Sequence, residues 1–128
     1  MASDVSLVDP FDLPEWLGVD AVTWTGQSSL DGRSHLICGV LETGTEGLDC
    51  DVLACDLAFP QPVLSGTWRR DAHSAWMRDE VLLIDRDGRL TLTAPGTIVD
   101  ADLVLEAVRR LAKAVGAASE RFTVALRL

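Results

Sequence analysis

The sequence predicts an α+β fold, an antiparallel sheet of five or six strands flanked by two main helices, and three observations carry that expectation. Residues 34–59, SHLICGVLETGTEGLDCDVLACDLAF, hold two apolar runs parted by a polar, glycine-bearing break, the pattern of a hairpin at the centre of a sheet. Residues 65–78 and 100–115 repeat apolar side chains at helical spacing. Two more short apolar runs flank Asp87-Gly88, a pair that accepts the positive φ of a tight hairpin turn. The expected order is a short helix, three strands, a helix, two strands, a helix and a possible last strand.

Taken in order, residues 1–10 read as a flexible N-terminal arm ended by Asp9-Pro10, and residues 11–128 as a single domain. Within residues 11–18, Asp12 suits a cap, Pro14 a first helical turn and Gly18 a stop. The resulting turn presents Phe11, Leu13, Trp16 and Leu17. Residues 20–25 alternate as a strand with Val22 and Trp24 on one face. A polar loop over 26–32 follows. The strand over 34–42 places Leu36, Cys38 and Val40 on one face and His35, Ile37 and Leu41 on the other. After a turn at 43–47 the next strand sets Leu48, Cys50, Val52 and Ala54 against Asp49 and Asp51, which mark a wet face. From Leu53 both faces become apolar, so either a helix of this chain or another subunit covers that end. Pro60 and Pro62 close the strand.

The helix over 65–78 has Ser65 or Thr67 as cap and turns Trp68, Ala72, Ala75 and Trp76 inward. The hairpin over 81–93 follows. In the helix over 100–115, Thr97 or Asp100 is the cap, Asp102 lies in the first turn, and Gly116 follows the last apolar position. Its buried stripe is Val104, Ala107, Val108, Leu111 and Val115. Residues 122–128 alternate as a last strand or an ordered tail.

The formal net charge of −9 is unevenly spread. Residues 1–56 hold eleven acidic side chains and one basic, Arg33, whereas residues 57–128 hold nine acidic and ten basic. An acidic surface repels nucleic-acid backbone and anionic lipid and favours a basic protein partner. The expectation is therefore a protein partner, possibly a basic one, with no nucleic acid and no membrane. A weaker alternative is that the acidic half mimics nucleic acid. Neither a basic n-region nor a continuous apolar run marks the first residues as a signal peptide, and three cysteines are an odd number. Free thiols in a reducing cytoplasm are expected.

Catalytic chemistry is sought without success. Cys50 and Cys55 are five apart and on a regular strand point to opposite faces, so no metal site is expected from them with Cys38, His35 or His73. Asp85-Arg-Asp-Gly has its glycine too early for a calcium loop and lacks the later ligands. There is no nucleophile elbow and no phosphate-cradling glycine loop. No catalytic residue, metal or cofactor is assigned.

Four tryptophans and no tyrosine are the positive anomaly. Trp16 and Trp24 lie in the acidic half, where tryptophan often anchors an interface, although core packing is the better reading for each alone. Phe11, Trp16, Leu17 and Trp24 are the expected partner-binding residues. His35, Cys38 and Cys50, with Trp24, would line a pocket against the sheet if the protein were instead a small enzyme or ligand-binding domain. In the hairpin at 81–93 and the helix at 100–115, the element order resembles the fold shared by type III secretion chaperones and the YbjN family. That resemblance covers residues 11–116 and implies a twisted antiparallel sheet with flanking helices and subunits that dimerise. It carries over no functional residue. The functional expectation is a non-enzymatic, chaperone-like protein-binding homodimer.

Overall fold

The computed structural model describes residues 5–26, 35–58 and 64–125. Strands β1 (Val5–Leu7), β2 (Val22–Gly26), β3 (Leu36–Ile37), β4 (Gly39–Glu42), β5 (Gly47–Cys55), β6 (Leu82–Arg86), β7 (Arg89–Pro95) and β8 (Phe122–Ala125) join in one sheet. With them go helices α1 (Trp16–Val19), α2 (Gly66–Met77) and α3 (Ala101–Ala114). Across the sheet the order is β1-β6-β7-β5-β4-β2-β8, and β3 also pairs with β5.

The class is α+β, but the sheet corrects the sequence expectation in two ways. Among the described residues it has eight strands, and it is mixed, because β5 pairs with β7 and β2 with β8 in parallel. The first parallel pair arises because α2 carries the chain from β5 past the adjacent position. The hairpin β6–β7 then docks with its returning strand against β5. The second arises because α3 returns the chain to the far end, where β8 lies beside β2. Patterning reveals turns and periods, whereas which strand takes which place is decided by how the helices cross. The mixed sheet also departs from the antiparallel one that the YbjN-like resemblance implied.

Two further differences are local. Val5–Leu7, expected within a loose arm, pairs antiparallel with β6, Val5 opposite Arg86 and Leu7 opposite Ile84. The second expected strand is divided at Cys38 into β3 and β4, although the register is unchanged across the break: Leu36 faces Leu53 and Val40 faces Asp49. The expected loop at 26–32 (beyond Gly26), the closing prolines Pro60 and Pro62, and the end of the tail at 126–128 lie outside the described residues.

Period-two alternation on β5 puts Cys50, Val52 and Ala54 on one face with Leu83 and Leu92, beneath Val104, Ala107, Val108 and Leu111 of α3. The opposite face has Leu53, Cys55 and Ile84 under Ala72 of α2, with Leu64 and Trp68 beside it. The helix that covers the doubly apolar end of β5 is therefore α2. Local signals behave as their chemistry dictates. The Asp100 side chain accepts from the Leu103 N–H at 2.8 Å to cap α3, and Asp87 and Gly88 adopt φ of 56° and 85° in the β6–β7 turn. Ser65 occupies the N-cap of α2 without a side-chain capping bond.

Candidate protein-docking surface and a buried aspartate cluster

The segment from Asp9 to Asp20 is built as a hydrogen-bonded pedestal. Pro10 fixes φ at the first position of a 3-10 turn over Pro10–Asp12, and Asp9 Oδ1 accepts the Phe11 N–H at 3.0 Å. The turn closes through Asp12 N–H to Asp9 C=O and Leu13 N–H to Pro10 C=O. Then α1 drives Leu17 into the main core, with Leu13 and Trp16 packed against its rim. Gly18 lets α1 approach α3, since a β-carbon there would stand 3.0 Å from the Val115 carbonyl oxygen. Arg121 donates to the Val19 carbonyl and ties the end of α1 to the approach of β8.

This pedestal holds Phe11 out into solvent. Its residue surface is 96% exposed, and Val19 and Leu7 nearby are 63% and 65% exposed. Asp9, Asp12, Glu15 and Asp20 surround it, all exposed, and no basic residue occurs between residues 9 and 20. Beside Asp9 and Pro10 opens a cleft of about 620 Å³. Its apolar lining includes Ala75 of α2, Val81, Leu83 of β6 and Ala114 of α3, and Arg78 and Lys113 stand among its polar residues. Arg78 pairs with Glu80, and Lys113 with Asp79, so the cations at the cleft already share carboxylates.

Of the four residues expected at a partner surface, the structure leaves Phe11 exposed and Trp16 half-buried. Leu17 and Trp24 are wholly buried, because each completes the core that α3 covers. Trp24 lies under Gly39, and its indole N–H donates to the Cys50 carbonyl at 2.9 Å.

The residues expected to line a common pocket are not brought together. Cys50 is on the α3 face with Trp24, whereas Cys38 lies near Asp51, whose side chain points to the opposite face. His35 is half-buried, and its carbonyl accepts the Ala54 N–H at 2.8 Å. None of the thiols is activated. Burial, then the Asp51 carboxylate, raises Cys38 and Cys50 above the ordinary thiol value, and burial pushes Cys55 up to about 11. Among the described residues no three His, Cys, Asp or Glu side chains group as a metal site.

The cluster that sequence reasoning missed centres on Asp51. Read as a wet-face residue with Asp49, it is instead fully buried, while Asp49 remains exposed. Arg86 Nη2 donates to Asp51 Oδ2 at 2.9 Å and Arg89 Nη2 to Oδ1 at 2.8 Å, while Arg89 Nη1 reaches Asp49 at 3.2 Å. Gly39 N–H donates to Asp51 Oδ1 at 3.4 Å, and Arg89 Nη2 also donates to the Gly39 carbonyl at 3.3 Å. The break between β3 and β4 is thus filled by side chains, Trp24 from one face and Asp51 with Arg89 from the other. The two arginines flank the Asp87-Gly88 turn. Their position opposite Asp51 depends on the parallel β5–β7 register, for which the sequence carries no signal.

These features define an α+β protein with a mixed sheet and an exposed aromatic turn in an acidic setting. Comparison with family models, with curated proteins and with solved structures finds no match for the chain. Among the described residues, no helix is long and apolar enough to cross a membrane.

Proposed function

We propose that this chain is a non-enzymatic, chaperone-like protein-binding module whose contact centre is the Phe11 turn. One observation carries the reading: an aromatic ring is held 96% exposed on a doubly anchored turn. A flexible loop would let such a ring fold back on the surface, whereas the Asp9 cap, Pro10 and the buried Leu17 hold it out. Interface hot spots are aromatic anchors that enter a pocket while their surroundings exclude water. The acidic side chains around Phe11 favour a partner pocket with basic groups at its rim, and they would set orientation and association rate more than affinity.

The test compares the wild-type chain with Phe11→Ala as immobilised bait, with quantitative mass spectrometry of what each retains. The reading expects a protein that the wild type retains, that moderate salt weakens, and that Phe11→Ala loses while melting at the wild-type temperature. Identical retained sets for the two baits would remove Phe11 as a contact.

A further inference from the structure

We infer that the N-terminal end of α2, with Arg69 and Arg70 folded back toward it, binds a phosphate dianion. The site shares no residue with the Phe11 turn and is independent of the protein-binding reading. A β-carbon on Gly66 would stand 3.4 Å from Arg69 Nη2 and 3.6 Å from Arg70 Nη1, so two guanidinium groups close on one point. Both lie against the positive end of a twelve-residue helix, where further positive charge is unfavourable. Nothing in the first turn offsets them: Ser65 makes no side-chain capping bond, and the turn holds no acidic residue. The amides of Gly66, Thr67 and Trp68 precede the first intrahelical bond, from Arg69 N–H to the Ser65 carbonyl at 3.1 Å.

The independent observation is Arg69 itself. Its Nε and Nη1 are closed off from solvent and, among the described residues, have no hydrogen-bond partner. Orphaned donors of that kind in a native fold call for an ion or a water. Arg70 reaches only the Thr67 hydroxyl, at 3.4 Å. Among the described residues every other arginine meets a carboxylate or a carbonyl oxygen. The nearest carboxylates in sequence do not answer the pair. Asp56 Oδ1 accepts the Ala58 N–H at 2.6 Å, and among the described residues neither Asp56 nor Asp71 forms an ion pair with Arg69 or Arg70. Two guanidinium charges match a dianion, whereas a carboxylate would answer one of them. Phosphate also carries enough acceptor oxygens for two planar forks and the helix amides together.

Titration of the full chain with inorganic phosphate, followed by amide proton–nitrogen NMR, tests this, with acetate at matched ionic strength as comparator. Saturable shifts are expected at the amides of Gly66, Thr67 and Trp68, with a dissociation constant of about 1 mM or lower and acetate at least about tenfold weaker. Arg70→Gln, at an exposed position, should fold as wild type and weaken phosphate binding at least about tenfold, while Arg78→Gln binds as wild type does. Arg69→Met replaces an unanswered charge with an apolar chain, so in phosphate-free buffer it should melt no lower than wild type, yet lose the response to phosphate. Shifts that do not saturate by about 20 mM phosphate would overturn the inference. So would binding that Arg70→Gln leaves intact, or acetate that matches phosphate. An equal rise in melting temperature in wild type and variants, without saturable shifts, is the general exclusion effect of phosphate on any fold and counts against the site. An Arg69→Met that melts well below wild type would show the guanidinium already satisfied by the fold, and would overturn it too.

Discussion

Gly39 is fixed by what lies beneath it. A β-carbon at that position would come within 2.4 Å of the Trp24 ring. The ring cannot retreat, because its N–H is bound to the Cys50 carbonyl and it is wholly buried. Gly39→Ala is accordingly expected to destabilise the fold by about 1–3 kcal/mol, read as a lowered urea midpoint at constant slope. Asp51 answers to a different term. Replacing it with Ala would leave Arg86 and Arg89 facing one another without their shared carboxylate, at a cost of about 3–5 kcal/mol for an uncompensated buried charge. The lower end applies because Arg89 is partly open to water, with 29% of its side chain exposed. An Asp51→Ala midpoint within error of wild type would show that the cluster contributes nothing net. The cysteines divide by access. Cys38 is half-buried, and Cys50 and Cys55 are buried, so alkylation of the native protein should modify Cys38 first, and slowly, because its thiol is held above the ordinary value. Rapid modification of all three would mean that the β3–β5 hairpin opens.

At the scale of elements, what was legible is what local chemistry decides. The α3 cap, left open between Thr97 and Asp100, is Asp100, whereas the α3 stripe and its end before Gly116, with φ of 75°, follow from spacing and cap residues alone. So does the β6–β7 turn, where the left-handed backbone at Gly88 predicts that Gly88→Val costs about 1–2 kcal/mol in a thermal or urea melt. The need for a cover over the doubly apolar end of β5 was legible as well, although burial of both faces already begins at Cys50 and Asp51, before Leu53. What was not legible depends on contacts between distant segments. Three residues, Val5–Leu7, are too few to show a period, and only the open edge of β6 makes them a strand. Alternation correctly placed Asp51 opposite Cys50, but a carboxylate on an alternating strand reads as solvated until Arg86 and Arg89 are known to face it. The same holds for the docking surface. Phe11, Trp16, Leu17 and Trp24 share one composition of aromatic and aliphatic side chains in an acidic stretch, and only the packing of α1 and β2 into the core separates the exposed ring from the buried ones.

For the molecule as a whole, the decisive balance is between excess negative charge and the few places where carboxylates are held by cations. Away from Asp51, and beside the local Arg78–Glu80 pair, those places among the described residues centre on α3 and join it to the chain that follows α2. Arg109 and Arg110 bond Glu106, and Arg109 and Lys113 bond Asp79. Arg110 also lies 3.7 Å over the Trp76 ring and donates to the carbonyls of Trp76 and Glu80. Hydrogen bonds from Arg109 hold Glu106 below its ordinary value of 4.5, and hydrogen bonds from Lys113 and Arg109 hold Asp79 below 3.8. A carboxylate whose folded value is depressed binds fewer protons folded than unfolded. Its stabilisation is therefore complete above the ordinary value and is lost as pH falls through the folded one. Acidification also relieves the self-repulsion of a chain with net charge −9, which acts in the opposite direction. The two effects separate on substitution. Glu106→Gln keeps the shape and one acceptor but removes the titration, so its melting temperature should lie below wild type at neutral pH and converge with it as pH falls from the ordinary value of 4.5 through the depressed folded one. Parallel curves for the two proteins across that range would show that Glu106 titrates alike in both states and that Arg110 is held by its packing on Trp76 instead.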